Sequence, residues 1–167
     1  MLSGLGLMRK SYAWIIVMLA TGMVVLTGYL LLFANRAPQV DLTIGQNKYT
    51  ASVFYTDESR KSAYSSTTWP VDEGHVGLFV YENSDKWPVW MPSVSSPRDF
   101  IWLTENKTVI DMAQRALPDG EPHREYTSRR DAKYVLVLPG GRAQQTGIKV
   151  GQIVQFSLSS IKELSTE

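Results

Sequence analysis

Residues Val40–Tyr55 read VDLTIGQNKYTASVFY, and the reading of this stretch decides the fold class. Val40, Leu42 and Ile44 alternate with Asp41 and Thr43, the period of two that turns one face of a strand to a core and the other to water. Gly45-Gln46-Asn47 supplies turn chemistry, and Tyr49–Tyr55 returns with β-branched and aromatic residues. The stretch is a β-hairpin.

Further downstream, short apolar runs broken by turn residues repeat this pattern. Asp57 is placed to cap a short helix through Lys61 to Ser65, its side-chain oxygen accepting from N–H groups of the first turn. Strands are expected at Val76–Tyr81, Val89–Met91, Phe100–Leu103 and Val109–Met112, with Glu105-Asn106-Lys107 turning between the last two. Pro118-Asp119-Gly120 is a turn signal, and Leu117–Arg130, polar with two prolines, reads as a long surface loop. Tyr134–Leu138 (YVLVL) is a near-continuous apolar run, the mark of a central strand. Pro139-Gly140-Gly141 stops it, a helical turn follows over Arg142–Thr146, and Val150–Leu158 supplies the last strand. Many short strands with one or two brief helices predict a mainly β, compact jelly-roll or barrel-like domain over residues 40–167.

Upstream lies a run of a different kind. Tyr12–Phe33, YAWIIVMLATGMVVLTGYLLLF, contains no charged residue. At about 1.5 Å per residue it covers roughly the 30 Å of a bilayer core. The expectation is a single transmembrane helix over 12–33, after a cytoplasmic N-terminus at 1–11 and before a linker at 34–39. A cleaved signal peptide is the rival, but its apolar core is shorter, about 7–15 residues, and Leu32 breaks the small-residue pattern before Ala34. Arg9 and Lys10 outweigh Arg36, which predicts a single-pass protein of the cytoplasmic membrane, N-terminus inside and the β domain outside, with the lipid bilayer as a partner.

The net charge is +1, and the chain has no cysteine. That excludes disulfides, thiolate catalysis and Cys-ligated metal. Before Val40 the only charged residues are Arg9, Lys10 and Arg36, so the remainder is slightly acidic, a poor electrostatic footprint for nucleic acid.

Several segments in this order resemble one family. They are Asp72-Glu73-Gly74 followed by Gly77–Tyr81, Trp90-Met91, Pro97–Leu103, Tyr126-Thr127-Ser128, Tyr134–Gly140 and Gly147–Gly151. The chain resembles the domain of unknown function 192 family from about Ala51 to Leu158. It departs where the family has Gly-Leu-Met, here Ala63-Tyr64-Ser65, and where the family has a Lys-Asn pair after Trp-Met, here Pro92-Ser93. The resemblance implies a compact β-rich fold, often exported or anchored, and no established activity.

No catalytic or metal signature is present in the sequence. Neither His75 nor His123 has a ligand partner at fixed spacing, so neither metal nor cofactor is expected. Asp99 stands among apolar neighbours, which makes it either a ligand-binding or acid/base group or a carboxylate that anchors a turn. Of Trp69, Trp87, Trp90 and Trp102, at least two should be structural, and Trp87 and Trp90, flanked by Pro88 and Pro92, are the expected exposed pair. Arg124, Arg129, Arg130 and Lys133 form a basic group interrupted by Glu125 and Asp131. The candidate binding residues are therefore Trp87, Trp90, Asp99, Tyr126, Ser128 and Arg130. The expected function is a membrane-anchored, extracytoplasmic binding or structural module contacting an envelope protein or polysaccharide. The alternatives are a hydrolase of envelope glycans and a subunit of a larger membrane assembly.

Overall fold

The computed structural model describes residues 4–34, 37–65, 72–90, 94, 96–118, 120 and 124–161; in the first helix it describes side chains for 14–29. The chain divides into two compact units, Met1–Arg36 and Ala37–Glu167. Trp69, the residues Met91–Ser93, Asp119 of the Pro-Asp-Gly turn and His123 lie outside the described residues.

The first unit is the helix α1, Gly4–Ala34. Within it the Thr21 and Thr27 hydroxyls donate back to the carbonyls of Val17 and Met23. Among the described residues no helix is long and apolar enough to cross a membrane. This corrects the expected transmembrane helix and, with it, the single-pass location in the cytoplasmic membrane. A span takes about 20 consecutive, strongly apolar residues, a requirement that no helix among the described residues meets.

The second unit is mainly β. Strand β1 (Gln39–Ile44) and β2 (Asn47–Phe54) form the expected antiparallel hairpin, with Leu42 opposite Tyr49 and Ile44 opposite Asn47. Gly45, at φ +59°, supplies the left-handed backbone that a two-residue turn requires. Next comes α2 (Asp57–Ser65), which carries the chain across so that β3 (His75–Asp85) lies parallel to β2. The cap of α2 is Thr56 rather than Asp57. Ser59 N donates to Thr56 Oγ1 and Thr56 N donates to Ser59 Oγ, a reciprocal pair that meets the helix's first-turn donors. Asp57 instead pairs with Arg60, whose guanidinium also donates to the carbonyls of Tyr55 and Val80 and lies over the Tyr81 ring.

The remaining strands are β4 (Pro88–Val89), β5 (Arg98–Leu103), β6 (Val109–Ala116), β7 (Tyr126–Thr127), β8 (Ala132–Pro139) and β9 (Val154–Phe156), with the short helix α3 at Arg142–Gln145. Of the nine strands among the described residues, seven make one sheet in the order β6-β5-β8-β3-β2-β1-β9, while β4 and β7 pair separately. The architecture is thus one curled sheet, a half-barrel, rather than the two facing sheets of a jelly roll. β8 is central, as its apolar run predicts. Tyr134, Leu136 and Leu138 join one core with Leu42, Val53, Leu78 and Ile101, whereas Val135 and Val137 join a second with Phe79, Phe100 and Trp102.

The two edges of the sheet meet at one end. Thr108 bridges Ile153, Val109 N donates to Gln152 O at 2.9 Å, and Val154 N donates to Lys107 O at 2.9 Å. Lys107 sits at φ 60° in the expected turn, and its ammonium donates to Phe156 O while lying over the Phe156 ring. The last strand is shorter than the expected Val150–Leu158, because Gly151, at φ 93°, turns the chain before it reaches the seam.

Trp102 is 1% exposed and donates its indole N–H to Trp87 O. Trp102→Ala is expected to lower the unfolding free energy by about 3–5 kcal/mol, the range for emptying a large aromatic site, as measured by urea denaturation. A loss under about 1 kcal/mol would remove Trp102 from the core.

Candidate functional site

Asp99 is fully buried, opposite Leu138 in the β5–β8 pairing. Its Oδ1 accepts from Arg115 N at 2.7 Å and Gly141 N at 2.8 Å, and its Oδ2 accepts from Ala143 N at 2.8 Å. The Ala143 N–H is one of the orphan donors at the start of α3, where Gly141 provides no side-chain cap. Asp99 takes the place of that cap from across the sheet. Of its two readings, the geometry corresponds to the carboxylate that anchors a turn. The turn itself is close-packed: a Cβ on Gly140 would lie 2.8 Å from the Pro97 carbonyl oxygen.

One consequence falls on β6. Pairing with β5 shifts register between Arg98 and Phe100, and at this bulge Arg115 takes φ 51°. Non-glycine residues seldom adopt that conformation. The bond from Arg115 N to Asp99 holds it there.

The other candidates gather at the two-stranded ribbon. Pairing of Pro88 with Thr127 and of Val89 with Tyr126 lays the Trp87–Trp90 stretch beside Tyr126–Ser128. Residues 117–130 are therefore not wholly a loop, since they contribute a strand. Trp87 and Trp90 are half-buried, not an exposed pair. Trp87 stacks on Tyr81, with ring centroids 4.4 Å apart and planes 6° from parallel, and donates its indole N–H to Asn83 O. Tyr126 packs against Phe100, and its hydroxyl accepts from Leu117 N at 2.9 Å. Ser128 is buried and locks a tight turn, its hydroxyl donating to Arg130 O and accepting from Arg130 N. The Arg130 side chain is exposed. The Asp99 carboxylate bonds instead to backbone N–H groups of Arg115, Gly141 and Ala143.

Of the basic group, Arg124 donates to Pro118 O and Lys133 to Glu82 O. Arg129 forms a two-pronged ion pair with Asp111, at 3.0 Å through Nε and 2.7 Å through Nη2, and its backbone N–H binds the same carboxylate. Nothing in the sequence singled out Asp111. Its one local signal is a carboxylate inside the apolar strand Val109–Met112. The Arg129 side chain, chiefly, holds the Asp111 carboxyl down to about 2.

Elsewhere, Asp72 accepts from Gly74 N and His75 N and touches the His75 ring; those two backbone donors hold its carboxyl below the usual range. Among the described residues there is no cluster of three His, Cys, Asp or Glu side chains able to hold a metal. A shallow depression over β1 and β2 is lined by Asp41, Thr43, Lys48 and Thr50. None of the candidate residues reaches it.

The model of the DUF192 family, described as uncharacterized ACR, matches residues 40–156. No curated protein matches the chain. Among solved structures, the chain is similar to a Sinorhizobium meliloti protein described as a "putative transcription regulator", with TM-score 0.66 and 18% identity over 72% of this chain and 95% of that one. It is also similar to a protein of unknown function from Novosphingobium aromaticivorans, with TM-score 0.60 and 23% identity over 70% of this chain and 83% of that one. At these identities the likeness is one of fold.

The Asp111–Arg129 pair sets an acid limit. The folded carboxyl titrates at about 2, below the ~3.9 of an unfolded Asp. Its stabilisation is therefore complete above about pH 4 and is lost as the pH falls through the folded value. Asp111→Asn is expected to lower Tm at pH 7, with the gap from the unmodified protein closing near pH 2. A gap of equal size at both pH values would assign the effect to something other than this ionisation.

Proposed function

Since the chain belongs to the DUF192 family, whose description carries no activity, we propose that its β unit is a binding module that takes a polysaccharide or a protein along the β4–β7 ribbon. The observation that carries this reading is the pairing of Val89 with Tyr126. It gathers Trp90, Tyr126 and the exposed Arg130 from two distant parts of the chain onto one short element. Aromatic rings on backbone constrained by Pro88 offer contact area at a small entropic cost.

The hydrolase reading is weaker. Glycosidase chemistry needs two carboxyl groups about 5–9 Å apart that can exchange protons or bond to the sugar. Asp99 instead directs both oxygens at backbone N–H groups. Oxygens so occupied are directed into the fold rather than towards a sugar.

The test is capture of polysaccharides and of immobilised peptides by the purified chain. Trp90→Ala is expected to weaken capture by about 2 kcal/mol, the size of a hot-spot loss, with the thermal melt unchanged. Trp87→Ala should lower the melt as well, because its ring stacks on Tyr81. Full capture by Trp90→Ala and by Arg130→Ala together would place binding elsewhere.

A further inference from the structure

Along the outer face of β2, exposure falls from Lys48 through the half-buried Thr50 to the buried Ser52 and Phe54. Phe54 belongs to the second core, so this face is covered at one end of the strand and open at the other. At the open end lies the depression of about 170 Å³ lined by Asp41 and Thr43 of β1, Lys48 and Thr50 of β2, and Gly74 before β3. The β4–β7 ribbon contributes nothing to its lining.

The frame around it is fixed. Leu42 and Tyr49, which pair opposite each other between the lining positions, are 1% and 4% exposed. Both strands are interior, β1 flanked by β9 and β2 by β3. At the rim, Gly74 O accepts from Thr50 N at 2.8 Å, and Asp72 Oδ1 holds the turn by accepting from Gly74 N and His75 N. Gly74 brings no side chain over the opening.

Strand register places four polar side chains at the corners of one patch. Asp41 stands opposite Thr50, and Thr43 stands opposite Lys48. The two charged residues are therefore diagonal neighbours on one face, about 7–8 Å apart at the backbone, and the two hydroxyls take the other diagonal. A lysine stem can close that distance, yet no ion pair joins Lys48 to Asp41. Opposite charges border one depression without neutralising each other.

We propose that this depression takes a small free α-amino acid as its zwitterion, with Asp41 binding the ammonium, Lys48 the carboxylate, and the Thr43 and Thr50 hydroxyls a polar side chain. Two charge-assisted bonds of about 2.7–2.9 Å, with a single α-carbon between the charged groups, span a gap of this width. The volume lies below the ~300–1,000 Å³ of sites for drug-sized molecules, which restricts the ligand to about one residue. A ligand with one charge leaves the opposite corner unmet, and a neutral sugar leaves both. Since both charged side chains are exposed, each contact is weak, and the affinity falls at about 1–10 mM.

The experiment titrates the full chain with L-serine, L-serinamide, N-acetyl-L-serine and glucose, and follows the backbone amide shifts by NMR. L-Serine is expected to shift the signals of Asp41–Thr50 and Gly74 saturably. Each blocked form should bind at least about threefold more weakly, the loss of one exposed charge pair. Asp41→Asn should bind L-serine and N-acetyl-L-serine alike while still preferring L-serine to the amide, and Lys48→Gln should show the reverse. Both positions are exposed, so neither substitution should lower Tm, which separates lost recognition from lost folding. The proposal is overturned by the lack of a saturable shift with L-serine, by shifts confined to residues outside the depression, or by equal binding of L-serine and either blocked form. Glucose binding as tight as that of L-serine overturns it too, since the depression would then serve neutral polar molecules. So does persistence of both preferences in both variants.

Discussion

The Asp99 carboxylate, buried and bonded to three backbone N–H groups, is the constraint from which the rest of this end of the domain follows. A buried charge is costly unless its hydrogen bonds are met. Here they come from β6, from the turn after β8 and from the start of α3. Removing the carboxylate would leave each donor unmet, at about 1–3 kcal/mol apiece where buried. The bond to Arg115 also explains why the β5–β6 pairing breaks register where it does, and why an arginine tolerates a backbone that favours glycine.

At the other end the sheet is held by its seam. Val109 and Lys107 bond to the segment Gly151–Val154, joining edges that are the first and last strands of the sheet order. Open edges invite pairing with other chains, and curling the edges together removes part of that hazard. Within this sheet β5 and β8 are covered on both faces, whereas β1 keeps one face towards solvent. β8 buries aliphatic side chains on both, which is why its sequence is an unbroken apolar run rather than an alternation.

The ribbon is supported by the second of these cores. Val89 is wholly buried in it, Tyr126 packs on Phe100, and Trp102 reaches the carbonyl of Trp87. Side chains on such an element have their directions set by a packed base rather than by a free loop. Asp111 adds a second tie, since its salt link to Arg129 fixes the chain just beyond β7 and leaves Arg130, the next residue, directed to solvent.

What the sequence determined by itself was local. The alternation of Val40–Ile44, the glycine turn at Gly45, the apolar run of Tyr134–Leu138 and the turn at Glu105–Lys107 each state their conformation within a few residues, and all four stand in the structure. The family was legible too, because its segments keep their order along the chain. Tertiary structure alone decided the parallel pairing of β2 with β3, the joining of β4 to β7 and the salt link from Asp111 to Arg129. It likewise replaced Asp57 by Thr56 as the cap, shortened the last strand, and gave Asp99 the backbone N–H partners of a turn anchor, one of the two roles open to it. The physical reason is common to these cases. Each depends on a partner distant in sequence, or on a competition between neighbouring side chains for the same N–H group, and neither leaves a periodicity that a linear reading can detect.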